Sequence, residues 1–261
     1  MPVDDGLIGG IHVARLSRSE AAVDVPHDHA AFQASTLDAL LRGSLRGDLT
    51  VGELLAHGDL GLGTLDLLDG ELIVVDGEAW VARADRSVAR ADHSSRTPFA
   101  VVCPFRPDAT GPLRPGSFDA ITAQVDALAP PGRACLAVRI EARIDHARLR
   151  SVPRQDQPDP TLADAVAAQV VYDAVDVDAT IVGFRFPRDL DGLELPGWHL
   201  HLIAHDRSVA GHVMALEIGA GTAAVEHQDD LHVEVPAGVE VGRVGFDEAR
   251  ARRLGEMERG G

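Results

Sequence analysis

Three histidines in the last third of the chain have the spacing of ligands to a catalytic metal ion. His199 and His201 alternate with apolar residues in the segment from Gly197 to Ala204. This pattern predicts a strand with one face on the core and both imidazoles on the other face. His212 follows a polar turn and can return on the neighbouring strand to face them. Neutral imidazoles with no cysteine nearby suit a catalytic metal with an open coordination position, above all Zn²⁺.

Spacing alone leaves two alternatives open. A pair of histidines two residues apart on a strand can simply be a polar face beside water. His205 has the same strand parity as the first two histidines, so it competes with His212 for the third position. His27 and His29 lie in a polar N-terminal stretch, which we interpret as a solvated loop.

The composition restricts the chemistry that can accompany such a site. The 261 residues carry a net charge of −17, which argues against nucleic acid or an anionic membrane as a partner. The sequence has no lysine, so all 24 basic residues are arginine. Schiff-base chemistry and a Walker-type phosphate loop are therefore excluded. Carbanion or enolate chemistry in this chain has to depend on a metal and on arginine.

Two further observations concern the cellular environment. Cys103 and Cys135 lie in apolar runs and lack metal-binding or redox spacing, so we expect two buried thiols. The start of the chain, Met1–Asp5, has neither a basic region nor a long apolar stretch. We therefore expect no signal peptide and no membrane span, which makes the cytoplasm the expected location.

A carboxylate and a guanidinium are candidates for the chemistry around the metal. Glu71 opens the first strand of a hairpin predicted to turn at Asp76–Gly77, a rigid place from which to aim a carboxylate. Arg150 and Arg154 lie in a proline-braced segment that can hold a guanidinium at a fixed angle. The alternatives are a solvated strand end for the glutamate and a linker with surface arginines for the other two.

Local signals predict many short elements. Glycines at positions 58–64 follow a helical segment, so they indicate a tight bend or a close backbone approach and not a phosphate loop. Predicted helices cover Leu37–Leu41, a segment capped by Thr50 and Glu53, Ser117–Leu128, Thr161–Tyr172 and the tail Phe246–Glu258. Predicted strands include Ile11–Val13, Phe99–Cys103, Ala134–Ala142, Ile181–Phe186, Gly197–Ala204, Gly211–Ile218 and Leu231–Val235.

Short motifs in a fixed order make the chain resemble the α-acetolactate decarboxylase family, from about Phe32 to Glu258. The motifs are Phe32-Gln33-Ala34-Ser35-Thr36, the glycine run His57 to Thr64, Leu68-Asp69-Gly70-Glu71-Leu72, Thr97-Pro98-Phe99-Ala100, Arg150-Ser151-Val152-Pro153, and the histidine cluster with Gly211-His212. The chain departs from the family's usual residues at Trp198, at Ala210 and at Pro158-Asp159, and none of these departures removes a candidate ligand or acid.

The resemblance implies a role for each candidate residue. The zinc ligands would be His199, His201 and His212, which leaves His205 outside the site. The other implied residues are Arg150 as a catalytic and substrate-binding residue, Thr64 as a substrate-binding residue, and Glu71 and Glu258 as catalytic carboxylates, with Glu256 close to the second position. The resemblance also implies a homodimer.

The implied enzyme is a carboxy-lyase of acetoin biosynthesis, in the butanediol pathway. Its substrate is a small 2-hydroxy-3-keto acid, 2-acetolactate, which loses CO₂ to leave an enediolate that Zn²⁺ can stabilise and a glutamate can protonate stereospecifically. Three alternatives have different sequence requirements. A zinc hydratase takes its third histidine from farther along the chain, and a cupin needs a glutamate shortly after the paired histidines. The remaining alternative is a non-catalytic, metal-stabilised module that binds a small ligand.

The predicted elements indicate an α+β fold that is mainly β, and the family resemblance implies that it has two lobes. Each lobe is expected to contain a mixed or antiparallel sheet and short helices. We expect an N-terminal arm over residues 1–30, an N-terminal β-rich lobe over 31–158 and a C-terminal lobe over 159–261 that carries the metal site. The site is expected between the lobes, where small-ligand clefts are common.

Overall fold

The computed structural model describes residues 11–15, 29–129, 135–156 and 162–235. In chain order its strands are β1 Ile11–Arg15, β2 Ala30–Ala34, β3 Leu49–Thr50, β4 Leu60–Thr64, β5 Glu71–Val75, β6 Glu78–Ala82, β7 Val88–Arg90, β8 Arg96–Thr97, β9 Phe99–Cys103, β10 Ala109–Leu113, β11 Gly116–Ser117, β12 Cys135–Ser151, β13 Val170–Phe186, β14 Gly197–Ala204, β15 Ala210–Gln228 and β16 Asp230–Val235. Its helices are α1 Leu37–Leu41, α2 Val51–Leu55, α3 Phe118–Leu128 and α4 Leu162–Ala167. Single 3₁₀ turns cover Asp66–Leu68 and Arg188–Leu190.

The short helices begin where the capping residues predict. The Thr36 side chain accepts a 3.1 Å hydrogen bond from the backbone N–H of Ala39 at the start of α1. At the start of α2, Thr50 accepts from the N–H of Glu53, and the Glu53 carboxylate accepts from the N–H of Thr50. This reciprocal pair satisfies two N–H groups that the first helical turn leaves without an intrahelical acceptor.

Two large sheets form the framework. The first has eight strands in the order β1-β16-β2-β9-β4-β5-β6-β7 and is mixed, because β16 is parallel to both β1 and β2. The second is antiparallel, with the order β10-β15-β12-β13-β14, and the start of β15 also pairs with β14. A two-stranded sheet joins β3 and β8. The predicted mainly β, α+β fold with mixed and antiparallel sheets is confirmed.

The two large sheets face one another across a shared apolar core. Leu62 and Ile73 of the first sheet belong to the same buried cluster as Val182, Phe184 and Ile203 of the second. The opposite face of the second sheet packs on a further core that includes residues of α3. Alternation along each strand therefore decides which side chains point into the space between the sheets.

Glycines in β4 allow two strands of the first sheet to approach closely. A Cβ added at Gly61 would lie 2.2 Å from the carbonyl oxygen of Val101, and one at Gly63 would lie 2.5 Å from that of Phe99. The predicted close backbone approach at this glycine run is confirmed, although the segment is a strand and not a bend. The hairpin turn is also confirmed, with positive φ angles of 53° at Asp76 and 73° at Gly77.

The long strands of the second sheet exceed the predicted lengths. The strands β12 and β13 have 17 residues each and β15 has 19. The predicted strand Ala134–Ala142 ended where charged residues begin to alternate with apolar ones, whereas β12 continues from Arg143 to Ser151. The predicted helix over Thr161–Tyr172 was wrong in its second half, since α4 ends at Ala167 and Tyr172 belongs to β13. Tyr172 pairs with Leu149 of β12, and this strand pairing outweighs the helical spacing of apolar residues on which the prediction was based.

Strand membership does not follow the expected boundary at residue 158. The strand β12 precedes that position yet lies in the second sheet, and β16 follows it yet lies in the first, between β1 and β2. The division into lobes stays a prediction. The predicted tail helix over Phe246–Glu258 lies outside the described residues. None of the described helices is long and apolar enough to span a membrane.

Candidate active site

Strand register places three of the candidate residues in one row. Arg150 on β12 pairs with His212 on β15, and His212 pairs on its other side with His201 on β14. Directly paired residues of antiparallel strands point to the same face. That face is turned towards the first sheet, because Ile203 of the same strand parity packs in the core between the sheets. His199 lies two residues before His201 and shares this face.

The three histidines form a compact cluster. One nitrogen from each of His199, His201 and His212 lies within 4.8 Å of the others, and their ring centroids are 5.0–5.4 Å apart. His201 and His212 are buried, whereas His199 is half-buried. Among the described residues this is the group of histidine, cysteine or carboxylate side chains that can hold a metal ion. Such a donor set suits Zn²⁺ with an open coordination position.

A contact with the first sheet fixes the orientation of His201. Its Nδ1 lies 2.9 Å from the backbone carbonyl oxygen of Leu72, to which it donates a hydrogen bond. The ring is therefore in the tautomer that leaves Nε2 able to bind a metal. This Nε2 is 3.6 Å from Oε2 of Glu71. Glu71, which directly precedes Leu72, thus places its carboxylate beside the histidines.

Glu71 and Thr64 continue the inner face of the first sheet. They are register partners on β5 and β4, and they share strand parity with Ile73 and Leu62 of the core between the sheets. Both are buried. The Thr64 hydroxyl donates a 2.7 Å hydrogen bond to the carbonyl oxygen of Gly70, which fixes the backbone just before Glu71.

Arg150 is held at the end of β12 by contacts on both sides. The next residue, Ser151, donates a 2.8 Å hydrogen bond to the carbonyl oxygen of Ala82 in the first sheet. The guanidinium of Arg150 is buried, and its Nη1 donates to Oε1 of Gln169 at 3.3 Å. A buried guanidinium opposite a carboxylate and an imidazole cluster is suited to bind an anionic group of a ligand.

One pocket brings these side chains together. Its volume is about 620 Å³, including the part open to solvent. The polar side chains that line it are Thr64, Glu71, Arg150 and His199. The rest of the lining is apolar apart from glycine, and consists of Leu37, Leu40, Gly63, Leu68, Phe99, Val152, Leu162 and Val166. The lining therefore offers a carboxylate, a guanidinium and an imidazole to a small molecule in a largely apolar surrounding.

Other candidates from the sequence lie elsewhere. His205 is exposed and its Nε2 pairs with Glu141 at 2.9 Å, outside the histidine cluster. Arg154 is exposed and pairs with Asp156 at 3.0 Å. His29 was expected in a solvated loop, yet its Nδ1 contacts the buried Glu226 at 3.0 Å. His27, Glu256 and Glu258 lie outside the described residues, so Glu258 stays a prediction.

Sequence reasoning missed two residues beside the site. Gln169 contacts Arg150, and Tyr172 supports the strand that carries His212. The Tyr172 hydroxyl donates a 2.6 Å hydrogen bond to the carbonyl oxygen of Ala210, and burial raises the pKa of this phenol. Gly211 makes room for it, since an added Cβ would lie 2.6 Å from the hydroxyl. The glycine before His212 was the available sequence signal for a close neighbour.

Comparison with known proteins gives a consistent result. The sequence profile of the α-acetolactate decarboxylase family matches residues 31–246. The α-acetolactate decarboxylase of Methanosarcina mazei is 38% identical over 79% of this chain and 72% of its own length, and that of Methylococcus capsulatus is 36% identical over 80% and 81%. The crystal structure of the Bacillus subtilis α-acetolactate decarboxylase superposes with a TM-score of 0.82 at 27% identity, covering 88% of this chain and 99% of that one.

The two facing sheets both contribute side chains to one pocket, an arrangement typical of proteins that bind a small molecule. The chain belongs to the α-acetolactate decarboxylase family, whose named relatives are carboxy-lyases. The resemblance inferred from the short motifs is thereby confirmed.

Proposed function

We propose that this enzyme converts 2-acetolactate to acetoin and CO₂, with Zn²⁺ held by His199, His201 and His212. The observation that carries the proposal is a pocket lined by Glu71, Arg150 and His199, in which His199 belongs to a cluster of three imidazoles. Membership of the α-acetolactate decarboxylase family supplies the reaction. The geometry supplies residues of the right chemistry for each part of it.

The donor set fits zinc. Three neutral imidazoles from two adjacent strands leave a coordination position for substrate, and hydrogen bonding of His201 to a backbone carbonyl is the usual way in which a metal-binding histidine is oriented. Zn²⁺ held by these three histidines would supply a Lewis acid to the substrate. This role would otherwise require a Schiff base, which a chain without lysine cannot form.

Arg150 binds and orients the anionic substrate in this proposal. Its guanidinium can pair with the carboxylate that leaves as CO₂, or with the oxygen on which negative charge develops. The surrounding wall is apolar, so these hydrogen bonds act in a medium poorer in water than the surface. A local positive group is also needed because the chain as a whole has a net charge of −17 and repels anions.

Glu71 is the proton donor that we assign. After CO₂ leaves, the enediolate must receive a proton on one face of the carbon to give chiral acetoin. The Glu71 carboxyl lines the pocket, and its strand is fixed by the Thr64 hydrogen bond to Gly70. Thr64 lines the same wall and can contact a substrate oxygen. Glu258 remains the second candidate for the proton.

The test is acetoin formation from racemic 2-acetolactate by the purified protein. Turnover should be lost on chelation and restored by zinc. His199→Ala should abolish it, and the matched control His205→Ala should not, because that exposed histidine lies outside the cluster. Stoichiometric zinc with no acetoin above the spontaneous rate would overturn the proposal and favour a non-catalytic binding module.

Three further expectations are separate from the reaction. A homodimer, a cytoplasmic location and the division into two lobes at residues 158 and 159 stay predictions. Gel filtration with light scattering tests the first, and limited proteolysis near the boundary tests the last.

A further inference from the structure

The pocket has two chemically different sides. Strands supply its polar side chains, whereas the two short helices α1 and α4 supply an apolar wall. The wall residues on these helices are Leu37, Leu40, Leu162 and Val166. The polar atoms of a ligand therefore find side-chain partners on the strands alone, while the two helices offer apolar contacts.

Backbone hydrogen bonds fix the position of α1 relative to β14, the strand that carries His199 and His201. The N–H of Leu37 donates to the carbonyl oxygen of Leu193 at 2.9 Å, and that of Asp38 donates to Gly192 at 3.0 Å. The buried amide of Gln33 also donates to Leu193, at 2.8 Å. These acceptors lie in the connection that leads into β14, the strand of His199. The position of α1 is thus tied to the segment that enters the site.

The second helix packs on the first. Leu37, Leu40 and Ala165 are buried in one cluster, and Leu162 packs against it. Val166 follows Leu162 by four residues, so both lie on the same face of α4. Val166 is buried and lines the pocket. The wall is therefore a packed surface, and its depth depends on the size of these side chains.

The substrate class has an apolar part that matches this wall. In a 2-hydroxy-3-keto acid the carboxylate, hydroxyl and keto oxygens all cluster at C1 to C3, and they belong with Arg150, Thr64 and the histidines. What remains is alkyl, namely the substituent on C2 and the end of the acyl chain. With its polar atoms on the strand side, the molecule directs an alkyl group towards α1 and α4.

We propose that Leu40 and Val166 set the length of the alkyl group that the enzyme accepts on its substrate. The inference deepens the proposed decarboxylase function and rests on it. The homologue that tests this assignment carries an ethyl group in place of the methyl group on C2. Shortening Val166 favours the longer homologue, and lengthening it favours 2-acetolactate.

The experiment measures kcat/KM for 2-acetolactate and for the C2-ethyl homologue. The variants are Val166→Ala and Val166→Leu, with Val88→Ala and Val88→Leu as matched controls on the edge strand β7, at a residue that does not line the pocket. The ethyl-to-methyl ratio should rise about tenfold in Val166→Ala and fall about tenfold in Val166→Leu, as expected for one methylene group in an apolar pocket. Leu40→Val should shift the ratio in the same direction as Val166→Ala.

The outcomes separate the two proposals. If the unmodified enzyme makes no acetoin, the proposed function fails. If it turns over 2-acetolactate but the ratio in Val166→Ala and Val166→Leu equals that of the Val88 controls, only the inference about the wall fails. Should one Val166 variant not fold, the ratio in the other still decides, because the two shifts have opposite signs.

Discussion

The imidazole of His201 is hydrogen-bonded through Nδ1 to the backbone carbonyl of Leu72, at 2.9 Å. His201 belongs to the second sheet, and Leu72 directly follows Glu71 on β5 of the first. One contact therefore orients a candidate metal ligand and sets its distance from a candidate acid. Because the acceptor is backbone, a change of the Glu71 side chain leaves this contact in place.

Replacing Glu71 tests the assigned proton donor without removing the metal site. We expect Glu71→Gln to bind one zinc per chain while acetoin formation falls by about 10²–10⁴-fold, the usual contribution of a general acid. Zinc content and turnover are measured on the same preparation. The control is Glu78→Gln at the other end of the hairpin, where the carboxylate pairs with Arg90 near the surface. Equal turnover in both variants would remove Glu71 from the mechanism.

The geometry of Arg150 predicts that charge alone does not replace it. In Arg150→Lys the positive charge remains but the planar set of donors, one of which contacts Gln169, is lost. We expect kcat/KM to fall by about a hundredfold. Arg154→Lys, a nearby exposed position paired with Asp156, should stay within twofold of the unmodified enzyme. A fully active Arg150→Lys enzyme would contradict the role of the guanidinium.

Zinc should stabilise the folded state through the histidine cluster. At a free zinc concentration of 100 Kd, binding adds about 2.7 kcal/mol to the free energy of unfolding. We expect chelation to lower Tm in the unmodified protein and to leave Tm of His212→Ala unchanged. His205→Ala should respond to chelation like the unmodified protein. A chelator response that survives in His212→Ala would place the metal elsewhere.

The hydroxyl of Tyr172 should support the strand of His212. Tyr172→Phe removes the hydrogen bond to Ala210 and should cost about 1 kcal/mol of unfolding free energy in urea titrations. Zinc affinity should weaken as well, because Ala210 lies two residues before His212. Unchanged zinc affinity together with the loss of stability would limit the tyrosine to packing.

Because two cysteine thiols are buried, we expect the free energy of unfolding to decline at alkaline pH. Burial raises the pKa of Cys103 and of Cys135 above the ordinary value of about 8.5. The folded state keeps these protons while the unfolded state releases them, so the stabilisation is complete below that pH and is lost as the pH rises towards the folded-state pKa values. Each thiol should contribute a decline of about 1.4 kcal/mol per pH unit.

Urea unfolding at pH 7.5 and pH 9.5 measures this dependence, with the double variant Cys103→Ala/Cys135→Ala as the control. The decline between the two pH values should be smaller in the double variant. If both proteins lose the same free energy, groups other than the thiols are responsible.

Local sequence patterns predicted the elements whose signals are local. The strand Gly197–Ala204, the turn at Asp76–Gly77 and the capping box of Thr50 and Glu53 all have the predicted form. Each depends on residues within a few positions of one another. The alternation that puts His199 and His201 on the opposite face of β14 from Leu200 also depends only on neighbouring residues.

Local sequence patterns could not predict contacts between residues that are far apart in the chain. The pairing of Arg150 with His212 joins residues far apart in sequence, and no periodicity specifies it. The same holds for Tyr172, whose spacing fits a helix but whose strand partner Leu149 decides its conformation. The apolar wall from α1 and α4 depends on packing between helices more than a hundred residues apart. Family resemblance brought the polar residues together but gave no reason to select Leu40 or Val166.

The placement of β16 between β1 and β2 has a consequence for biosynthesis. This strand ends at Val235, after all strands of the second sheet, yet the first sheet needs it as an internal member. While the ribosome is still making the second sheet, β2 therefore has an unpaired edge, and such edges are prone to pair with other chains. Completion of the first sheet must await synthesis of β16, so a chain that terminates before Asp230 would carry that aggregation-prone edge permanently.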